Sequence, residues 1–312
     1  MRAVKIKDGE FELGEAPDPA ADGGLAVVRI RAAGLNAADL QQARGAYPAP
    51  PGWPDDIPGL EIAGVIEQPA AGWSAGDRVM AVVGGGAHAE RIAVPASLLL
   101  PIPDSVDDVH AAGFPEAFST AWDGLADQAG VRPGERVLIT GAAGGVGTAM
   151  LQVAALAGAD VVASVRRAES HAAVQALASD ATVVTPDQEE AHGPYDIVVE
   201  LVGGKDCLRR VRWLNPYGRI LVIGVGAGEE TSLRLFDLMR ARGRVLGSTI
   251  RARSTVEKAL LANRVRDGLL RALSAGRLTV PVDSVHPLEQ AREAYARLGS
   301  PGKLGKVVLQ ME

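Results

Sequence analysis

Residues 137–147 read VLITGAAGGVG, and this stretch decides the fold class. A short run of apolar and β-branched residues, typical of a buried strand, leads directly into a glycine-rich turn. The residues that follow predict a helix over 146–157. One face of that helix is expected to be buried and carries Val146, Met150, Val153, Ala154 and Ala157. A strand, a glycine turn and a helix in this order are typical of a dinucleotide-binding unit.

Strands and helices alternate on both sides of this turn. Predicted strands cover 136–140, 160–165, 182–185, 196–201, 219–223 and 245–249. Predicted helices cover 116–129, 146–157, 168–178, 205–214 and 232–241. This alternation predicts an α/β domain: a doubly wound parallel sheet with helices on both faces, as in the Rossmann fold.

The chain before residue 116 has a different pattern. Short β-branched segments at 26–32, 61–66, 77–83 and 91–94 predict strands of a small antiparallel barrel or sandwich. The segment 47–58 contains five prolines and is expected to be a stiff surface loop. After residue 250 the sequence predicts helices over 256–275 and 288–298 and a strand over 306–310. The expected domains are therefore 1–115, 116–250 and a returning segment, 251–312.

Composition excludes several classes of function. The chain has 312 residues, is 47% hydrophobic and 22% charged, and carries a net charge of −6, which disfavours nucleic acid and anionic membranes as partners. The single cysteine, Cys207, rules out an intramolecular disulfide and a multi-cysteine metal site. We find neither a secretory signal nor a run of apolar residues long enough to span a membrane, so we expect a cytoplasmic protein.

The end of the second predicted strand indicates which coenzyme is bound. A dinucleotide fold specific for NAD carries an acidic residue there, which binds the ribose 2′-hydroxyl. Residues 163–167 read ASVRR instead, so Arg166 and Arg167 are expected to bind a 2′-phosphate, and the coenzyme is expected to be NADPH. The pyrophosphate is expected on the backbone N–H groups of Gly144, Gly145 and Val146.

The sequence resembles the zinc-independent quinone oxidoreductases of the medium-chain dehydrogenase/reductase superfamily. The matching motifs occur in order along the chain, at 34–67, 76–79, 120–122, 141–147, 202–204, 247–251 and 302–309. The resemblance implies a GroES-like antiparallel β-barrel, formed by both chain ends, around a Rossmann domain. It also implies NADPH-dependent reduction of a quinone, and a homodimer joined through the edge strand at 245–249.

The zinc ligands of related alcohol dehydrogenases are replaced here. Asn36 stands at the position of a ligand cysteine and Leu60 at that of a histidine, and the five histidines have no ligand-like spacing. We therefore expect no metal, and expect each histidine to be a surface or partly buried neutral imidazole. Without a Lewis acid, a quinone or enone is the favoured substrate, because its conjugated system accepts hydride directly.

The resemblance also assigns the site residues. Asn36 and Tyr47 are expected near the reacting carbon. The cofactor is expected to contact Thr120, Gly144, Gly145, Val146, Arg166, Arg167, Ser170, Val202, Gly203, Ile223, Gly224, Val225, Ser248, Thr249, Lys303 and Gly305. Trp53 is expected to close over the substrate, and Glu61 to form a structural salt bridge near the cofactor.

Two alternative functions remain open at this point. One is an NADPH-dependent enone or enoyl reductase, which uses the same hydride chemistry on an activated alkene. The other is a non-catalytic NADPH-binding protein. A short-chain dehydrogenase is disfavoured, since the glycine turn is far from the N-terminus and no Tyr-x-x-x-Lys motif is present.

Overall fold

The computed structural model describes residues 1–21 and 24–311. The chain divides into two compact units, the first formed by Met1–Ser119 and Ile250–Glu312 and the second by Thr120–Thr249. The first unit thus combines both ends of the chain, while the second is continuous. The divisions predicted from the sequence lie at 115/116 and 250/251.

Fifteen strands and eight α-helices make up the regular structure of the described residues. The strands are β1 (Arg2–Lys7), β2 (Glu10–Glu15), β3 (Leu25–Gly34), β4 (Glu61–Gln68), β5 (Arg78–Val82), β6 (Arg91–Pro95), β7 (Leu100–Pro101), β8 (Arg136–Ile139), β9 (Asp160–Ser164), β10 (Thr182–Val184), β11 (Tyr195–Glu200), β12 (Leu214–Val222), β13 (Arg244–Gly247), β14 (Val282–Pro287) and β15 (Lys306–Gln310). The helices are α1 (Ala37–Ala43), α2 (Asp108–Ala112), α3 (Pro115–Trp122), α4 (Gly145–Leu156), α5 (His171–Gln175), α6 (Leu235–Ala241), α7 (Thr255–Ser274) and α8 (Ala291–Gly299).

The first unit is built on a seven-stranded, mainly antiparallel sheet. Its order is β14-β15-β3-β4-β5-β7, with β6 also paired to β3, and only the β14–β15 pair is parallel. The last strand, β15, pairs with β3, so the C-terminal segment completes a sheet that the N-terminal segment begins. Apolar residues of these strands and of α8 share one core, in which Phe11 stacks on Tyr295. The predicted GroES-like architecture is confirmed.

The second unit is a six-stranded parallel sheet in the order β10-β9-β8-β11-β12-β13. The chain runs outward from β8 through β9 to β10, and then returns to the other side of β8 with β11. The strand order therefore reverses between β8 and β11, which is where doubly wound sheets bind their ligands, at the carboxyl ends of the strands. The predicted Rossmann-type sheet is confirmed.

Several predicted helices are shorter or of another type. The helix predicted over 116–129 is α-helical only to Trp122 and continues as a π-helix over Asp123–Gln128. The segment predicted as helix over 205–214 forms a 3₁₀-helix, Cys207–Trp213, and 168–178 contains a 3₁₀ turn and the five-residue α5. Apolar periodicity does not distinguish these hydrogen-bond patterns, because tertiary packing selects among them.

One further expectation was wrong in detail, and three strands were not predicted. The predicted buried stripe of α4 is too narrow, because every residue from Gly147 to Ala154 is buried, while Val146 and Ala157 are only half-buried. The hairpin of β1 and β2 and the strand β14 were missed, since their mixed polar sequences have no clear alternation.

Among the described residues, no helix has the length and apolarity needed to cross a membrane.

Candidate active site

The glycine turn between β8 and α4 has the geometry that a pyrophosphate site needs. Helix α4 begins at Gly145 with Gly144 as its N-cap, so the first-turn N–H groups have no acceptor within the helix. A Cβ atom on Gly147 would lie 2.3 Å from the Gly141 carbonyl oxygen, so only glycine lets the helix start so close to the turn. This turn fits the diphosphate of a dinucleotide.

The carboxyl edge of the second sheet brings most of the predicted cofactor residues together. They follow directly after β8, β9, β11, β12 and β13. These residues are Gly144, Gly145, Val146, Arg166, Arg167, Ser170, Val202, Gly203, Ile223, Gly224, Val225, Ser248 and Thr249. The turns after β11 and β12 are joined by the Ala227 N–H, which donates to the Val202 carbonyl oxygen at 2.8 Å.

A buried carboxylate orders the turn after β11. Glu200 is fully buried, and its Oε1 accepts hydrogen bonds from the backbone N–H groups of Val202 (2.8 Å) and Gly203 (2.9 Å) and from the Thr140 hydroxyl (3.1 Å). Arg210 pairs with the Glu200 Oε2 at 2.7 Å and with a second buried carboxylate, Glu189, at 2.8 Å. Two predicted cofactor residues, Val202 and Gly203, are thus held by a charge network that sequence reasoning missed.

Arg166 and Arg167 are exposed immediately after β9, next to the strand that leads into the glycine turn. Within the described ranges, neither side chain forms a hydrogen bond or an ion pair. Ser170 is half-buried at the end of the following 3₁₀ turn. These guanidinium groups are therefore free to bind an anion.

Two predicted cofactor residues, Ser248 and Thr120, are already engaged within the second unit: Ser248 has side-chain partners, and Thr120 is buried. The Ser248 hydroxyl donates to the Asp123 carboxylate at 2.8 Å and accepts from the Gln128 side chain at 2.7 Å, which ties the end of β13 to the π-helix. Thr120 is buried, at 7% exposure. Their proposed contacts with a cofactor remain predictions.

In the first unit, Asn36 belongs to a closed polar cluster around Lys306. The Lys306 ammonium donates to the Asn36 Oδ1 (2.7 Å) and to the Leu35 carbonyl oxygen (2.9 Å), and lies 2.6 Å from the Glu61 Oε1. The Asn36 amide in turn donates to the Glu61 Oε1 at 3.0 Å and to the Gly34 carbonyl oxygen at 3.3 Å. The predicted structural salt bridge of Glu61 is confirmed, with Lys306 as its partner.

Close packing surrounds the Glu61 carboxylate on its other sides. A Cβ atom on Gly34 would lie 2.3 Å from Glu61 Oε1, so a glycine is required there. Glu61 Oε2 accepts the backbone N–H of Glu116 at 2.8 Å, which attaches the first turn of α3 to β4. The Asn36 amide is therefore held in place by its neighbours, and its N–H groups already have acceptors.

Two acidic groups near this cluster are protonated more readily than usual. Burial, reinforced by the charge of Glu61, raises the pKa of Glu116 to about 7, although Lys306 opposes the shift. Burial also raises the pKa of Asp39 to about 7, against the hydrogen bonds that its carboxylate accepts from the backbone N–H groups of Asn36 and Gly59. The Glu116 carboxyl group accepts no hydrogen bond from any residue that the structure describes.

Tyr47 is held by Arg251. The Arg251 guanidinium lies 4.9 Å from the centre of the Tyr47 ring and donates to the Tyr47 carbonyl oxygen at 2.6 Å. It also donates to the Gln42 side chain (2.6 Å) and to the Gly84 carbonyl oxygen (3.1 Å). The loop that carries Tyr47 is thus tied to α1 and to the segment after β5 by one buried cation.

Other expectations in the first unit have mixed outcomes. Trp53 packs against Gly84 and the apolar core. Lys303 is half-buried, and burial lowers its pKa, while Gly305 is buried. The expectation that every histidine is at the surface or only partly buried is wrong for His88. That side chain is fully buried between Tyr295 and the Gly34 carbonyl oxygen, and burial lowers its pKa to about 4.

Sequence reasoning did not assign roles to Lys306, Glu116, Arg251 or Arg210. Lys306 and Arg251 lie within motifs that were noted, and Glu116 follows Pro115 at a predicted helix start. A charged residue inside an otherwise apolar segment, such as Lys306 at the start of a buried strand, is the signal that could have identified one of them.

Comparison with known proteins assigns the chain to a family. Residues 22–104 match the alcohol dehydrogenase GroES-like domain, and residues 154–309 match the zinc-binding dehydrogenase family. The chain belongs to the medium-chain dehydrogenase/reductase superfamily. Members of this superfamily are nicotinamide-dependent oxidoreductases, which agrees with the glycine turn of the second unit.

Individual members of the superfamily are similar over nearly the full chain. The quinone oxidoreductase-like protein 2 homolog of Nematostella vectensis is 31% identical over 300 residues, which is 90% of this chain and 80% of that protein. The solved quinone oxidoreductase of Thermus thermophilus, also determined in complex with NADPH, is 35% identical, with a TM-score of 0.87 over 99% of this chain and 100% of that chain. A solved NAD-dependent alcohol dehydrogenase has 28% identity and a TM-score of 0.87, with both chains fully covered.

The donor atoms near Asn36 do not fit the zinc that the family description names. Zinc sites are built mainly from thiolate and imidazole ligands in tetrahedral arrangement. Across residues 1–21 and 24–311, no group of three His, Cys, Asp or Glu side chains is arranged to hold a metal ion. The oxygen atoms of Asn36 and Glu61 instead bind the Lys306 ammonium.

Removing the Arg210 guanidinium should strongly destabilise the second unit. Replacing Arg210 by Met leaves the buried carboxylates of Glu189 and Glu200 without their cation, which costs about 3–5 kcal/mol. Urea unfolding measures this loss, and Arg212→Met, at an exposed position of the same 3₁₀-helix, is the control. Equal unfolding midpoints for the two variants would contradict the assigned role of the network.

The stability of the protein should fall between about pH 5 and pH 8. A carboxyl group whose pKa is raised in the folded state stabilises that state when protonated, and this stability is lost as the pH rises through the folded pKa. The pKa of Glu116 rises from 4.5 to about 7, so its ionisation lowers the free energy of unfolding by at most about 3 kcal/mol over this range. Glu116→Gln cannot ionise, and its free energy of unfolding should therefore fall less between pH 5 and pH 8. Chemical denaturation of both proteins at pH 5 and pH 8 tests this, and identical pH dependence would refute it.

Proposed function

We propose that this protein is an NADPH-dependent reductase that transfers a hydride to a quinone or similar conjugated carbonyl, without a metal. The likeness to the Thermus thermophilus quinone oxidoreductase, solved with NADPH, supports both the reaction and the coenzyme. The relative from Nematostella vectensis, a quinone oxidoreductase-like protein, supports the same class of substrate.

The observation that carries this proposal is the exposed pair Arg166 and Arg167. Both residues come shortly after β9, separated from its end by one position, and β9 lies beside the strand that enters the glycine turn. An arginine at this place binds the 2′-phosphate of NADPH, whereas an acidic residue would bind the 2′-hydroxyl of NADH. Since these side chains make no hydrogen bond or ion pair within the described ranges, no protein contact has to be broken before they bind a phosphate.

The metal-free reaction is supported by the cluster around Lys306. Its ammonium already uses the oxygen atoms of Asn36 and Glu61. The bound nicotinamide would supply the hydride. A quinone needs no Lewis acid to accept it, because its conjugated system spreads the negative charge onto a distant oxygen. The chain itself contributes the orientation of the coenzyme and the polar groups around the substrate.

A panel of acceptors tests the proposed substrate class. NADPH oxidation is followed with a series of quinones and a series of enones, after NADPH binding has been measured by fluorescence. Turnover with quinones supports the proposal, and turnover with enones alone indicates the alternative alkene reductase. Tight NADPH binding without turnover of either series would identify a non-catalytic binding protein.

Replacing both Arg166 and Arg167 by Ala should change coenzyme preference. Loss of the charge-assisted hydrogen bonds to a 2′-phosphate should weaken NADPH binding by about 10- to 100-fold and NADH binding by no more than about 2-fold. Fluorescence titration measures both dissociation constants. Arg212→Ala, an exposed arginine elsewhere in the second unit, controls for net charge. An equal effect on the two coenzymes would exclude the proposed phosphate contact.

We propose that two copies associate through the edge of the parallel sheet. Within the part of the chain that the structure describes, β13 is an edge strand paired only with β12. Its Val245 is 38% exposed, and the preceding helix α6 exposes Leu235 (67%), Phe236 (69%) and Met239 (70%). Backbone pairing along β13 together with burial of these side chains fits a second copy of the same chain.

Phe236→Asp should convert such a dimer to a monomer, because it places a charge in the apolar contact. Sedimentation equilibrium measures the molecular mass. Val256→Asp, on α7 with 70% exposure, is the matched control and should remain dimeric. A monomeric wild-type protein would rule out the proposed association.

We also propose a reducing, cytoplasmic location without nucleic acid partners. The single cysteine, Cys207, is buried in the apolar core of the second unit. The net charge of −6 disfavours association with a polyanion.

A further inference from the structure

Ser164, the last residue of β9, lies between the glycine turn and a buried carboxylate. Its hydroxyl donates to Oε1 of Glu189 at 2.6 Å, and its carbonyl oxygen accepts the N–H of Ala142, in the glycine turn, at 3.2 Å. Ser164 is 2% exposed and Glu189 is fully buried. One residue therefore joins the glycine turn, the end of β9 and the 3₁₀-helix Glu189–His192.

The Glu189 carboxylate is held from its other side by Arg210. The Arg210 Nε donates to Oε2 of Glu189 at 2.8 Å, and its Nη2 donates to Oε1 at 3.1 Å. The same guanidinium pairs with Glu200, which accepts the hydroxyl of Thr140, the residue before the glycine turn. All of these residues belong to the second unit. A continuous chain of polar contacts thus runs beneath the turn, from Thr140 to Ser164.

The arginine pair proposed to bind the 2′-phosphate begins two positions after Ser164. The residue between them, Val165, is also anchored: its N–H donates to the last residue of β10 at 2.8 Å, and its carbonyl oxygen lies 3.0 Å from Nε2 of His171. Arg166 and Arg167 are exposed, and their side chains form no hydrogen bond or ion pair in the described ranges. Two unoccupied guanidinium groups therefore extend from a firmly anchored backbone.

We propose that Glu189 is a positioning residue that sets the coenzyme preference. Through the Ser164 hydroxyl, it holds the end of β9 at a fixed separation from the glycine turn. This inference rests on the proposed function and adds the origin of the preference for NADPH. A 2′-phosphorylated dinucleotide binds both the turn and the arginine pair, so it gains from a separation that is set before binding. NADH has no 2′-phosphate and gains little from it.

Ser164→Ala tests the proposal, because it removes the hydroxyl and leaves the ion pair of Glu189 with Arg210 intact. Fluorescence titration should show NADPH binding weakened by about 5- to 10-fold, since the arginine side chains then have to be ordered on binding, and NADH binding by no more than about 2-fold. A merely structural role would weaken both equally. When Arg166 and Arg167 are both replaced by Ala, adding Ser164→Ala should weaken NADPH binding no further.

Three further variants complete the design. Ser164→Thr keeps the hydroxyl and should retain the wild-type ratio of the two dissociation constants. Glu189→Ala leaves Arg210 paired with Glu200 and should lower the ratio as Ser164→Ala does, and Ser164→Ala carries the test if Glu189→Ala does not fold. Asn215→Ala is the matched control. It removes a 2.8 Å hydrogen bond to a carboxylate at the opposite, amino-terminal edge of the sheet and should leave the ratio unchanged.

Hydrogen exchange of the Ala142 amide gives a readout without any coenzyme. Because this amide donates to the Ser164 carbonyl oxygen, its exchange in the unliganded protein should be about 10-fold faster in Ser164→Ala and unchanged in Asn215→Ala. An unchanged exchange rate, or a wild-type preference for NADPH that Ser164→Ala retains, would overturn this inference alone. A wild-type protein that binds NADH as tightly as NADPH would refute the proposed coenzyme and this inference with it.

Discussion

The buried ion pair of Lys306 and Glu61 is the interaction on which the first unit depends. Lys306 begins the last strand of the chain, and its ammonium binds oxygen atoms from the end of β3, from the N-cap of α1 and from β4. Glu61 in turn accepts the N–H at the start of α3. Because an unpaired buried charge is very costly, these segments can reach their positions only together. The C-terminal strand is therefore required for the geometry of the N-terminal segment.

The same interaction determines the chemistry available nearby. It occupies the hydrogen-bonding atoms of Asn36 and Glu61, so these residues are held rigidly. Burial, reinforced by the neighbouring Glu61 carboxylate, raises the pKa of Glu116 to about 7, so this carboxyl group is partly protonated at neutral pH. A cation supplied by the chain thus has two effects: it shapes the polar cluster, and it distinguishes two neighbouring acids.

The second unit uses a buried carboxylate in a comparable way. Glu200 ends β11 at the point where the strand order reverses, and it accepts the N–H groups of the next turn. Arg210 compensates its charge and that of Glu189. The backbone of the turn after β11, where we propose that a cofactor binds, is consequently ordered by the side chains beneath it.

Local patterns in the sequence were enough to predict the parallel sheet, the glycine turn, the antiparallel strands and the family. Glycine spacing and runs of β-branched residues can be read within a few neighbouring positions, so these features need no knowledge of distant contacts. The tertiary structure alone decided the partners of Lys306, which lie 245 to 271 positions away along the chain. It also decided the π-helical end of α3, the burial of His88 and the clamp of Arg251 on Tyr47. Such contacts depend on which strands become neighbours, and the pairing of β15 with β3 is a property of the folded sheet that no short stretch of sequence contains.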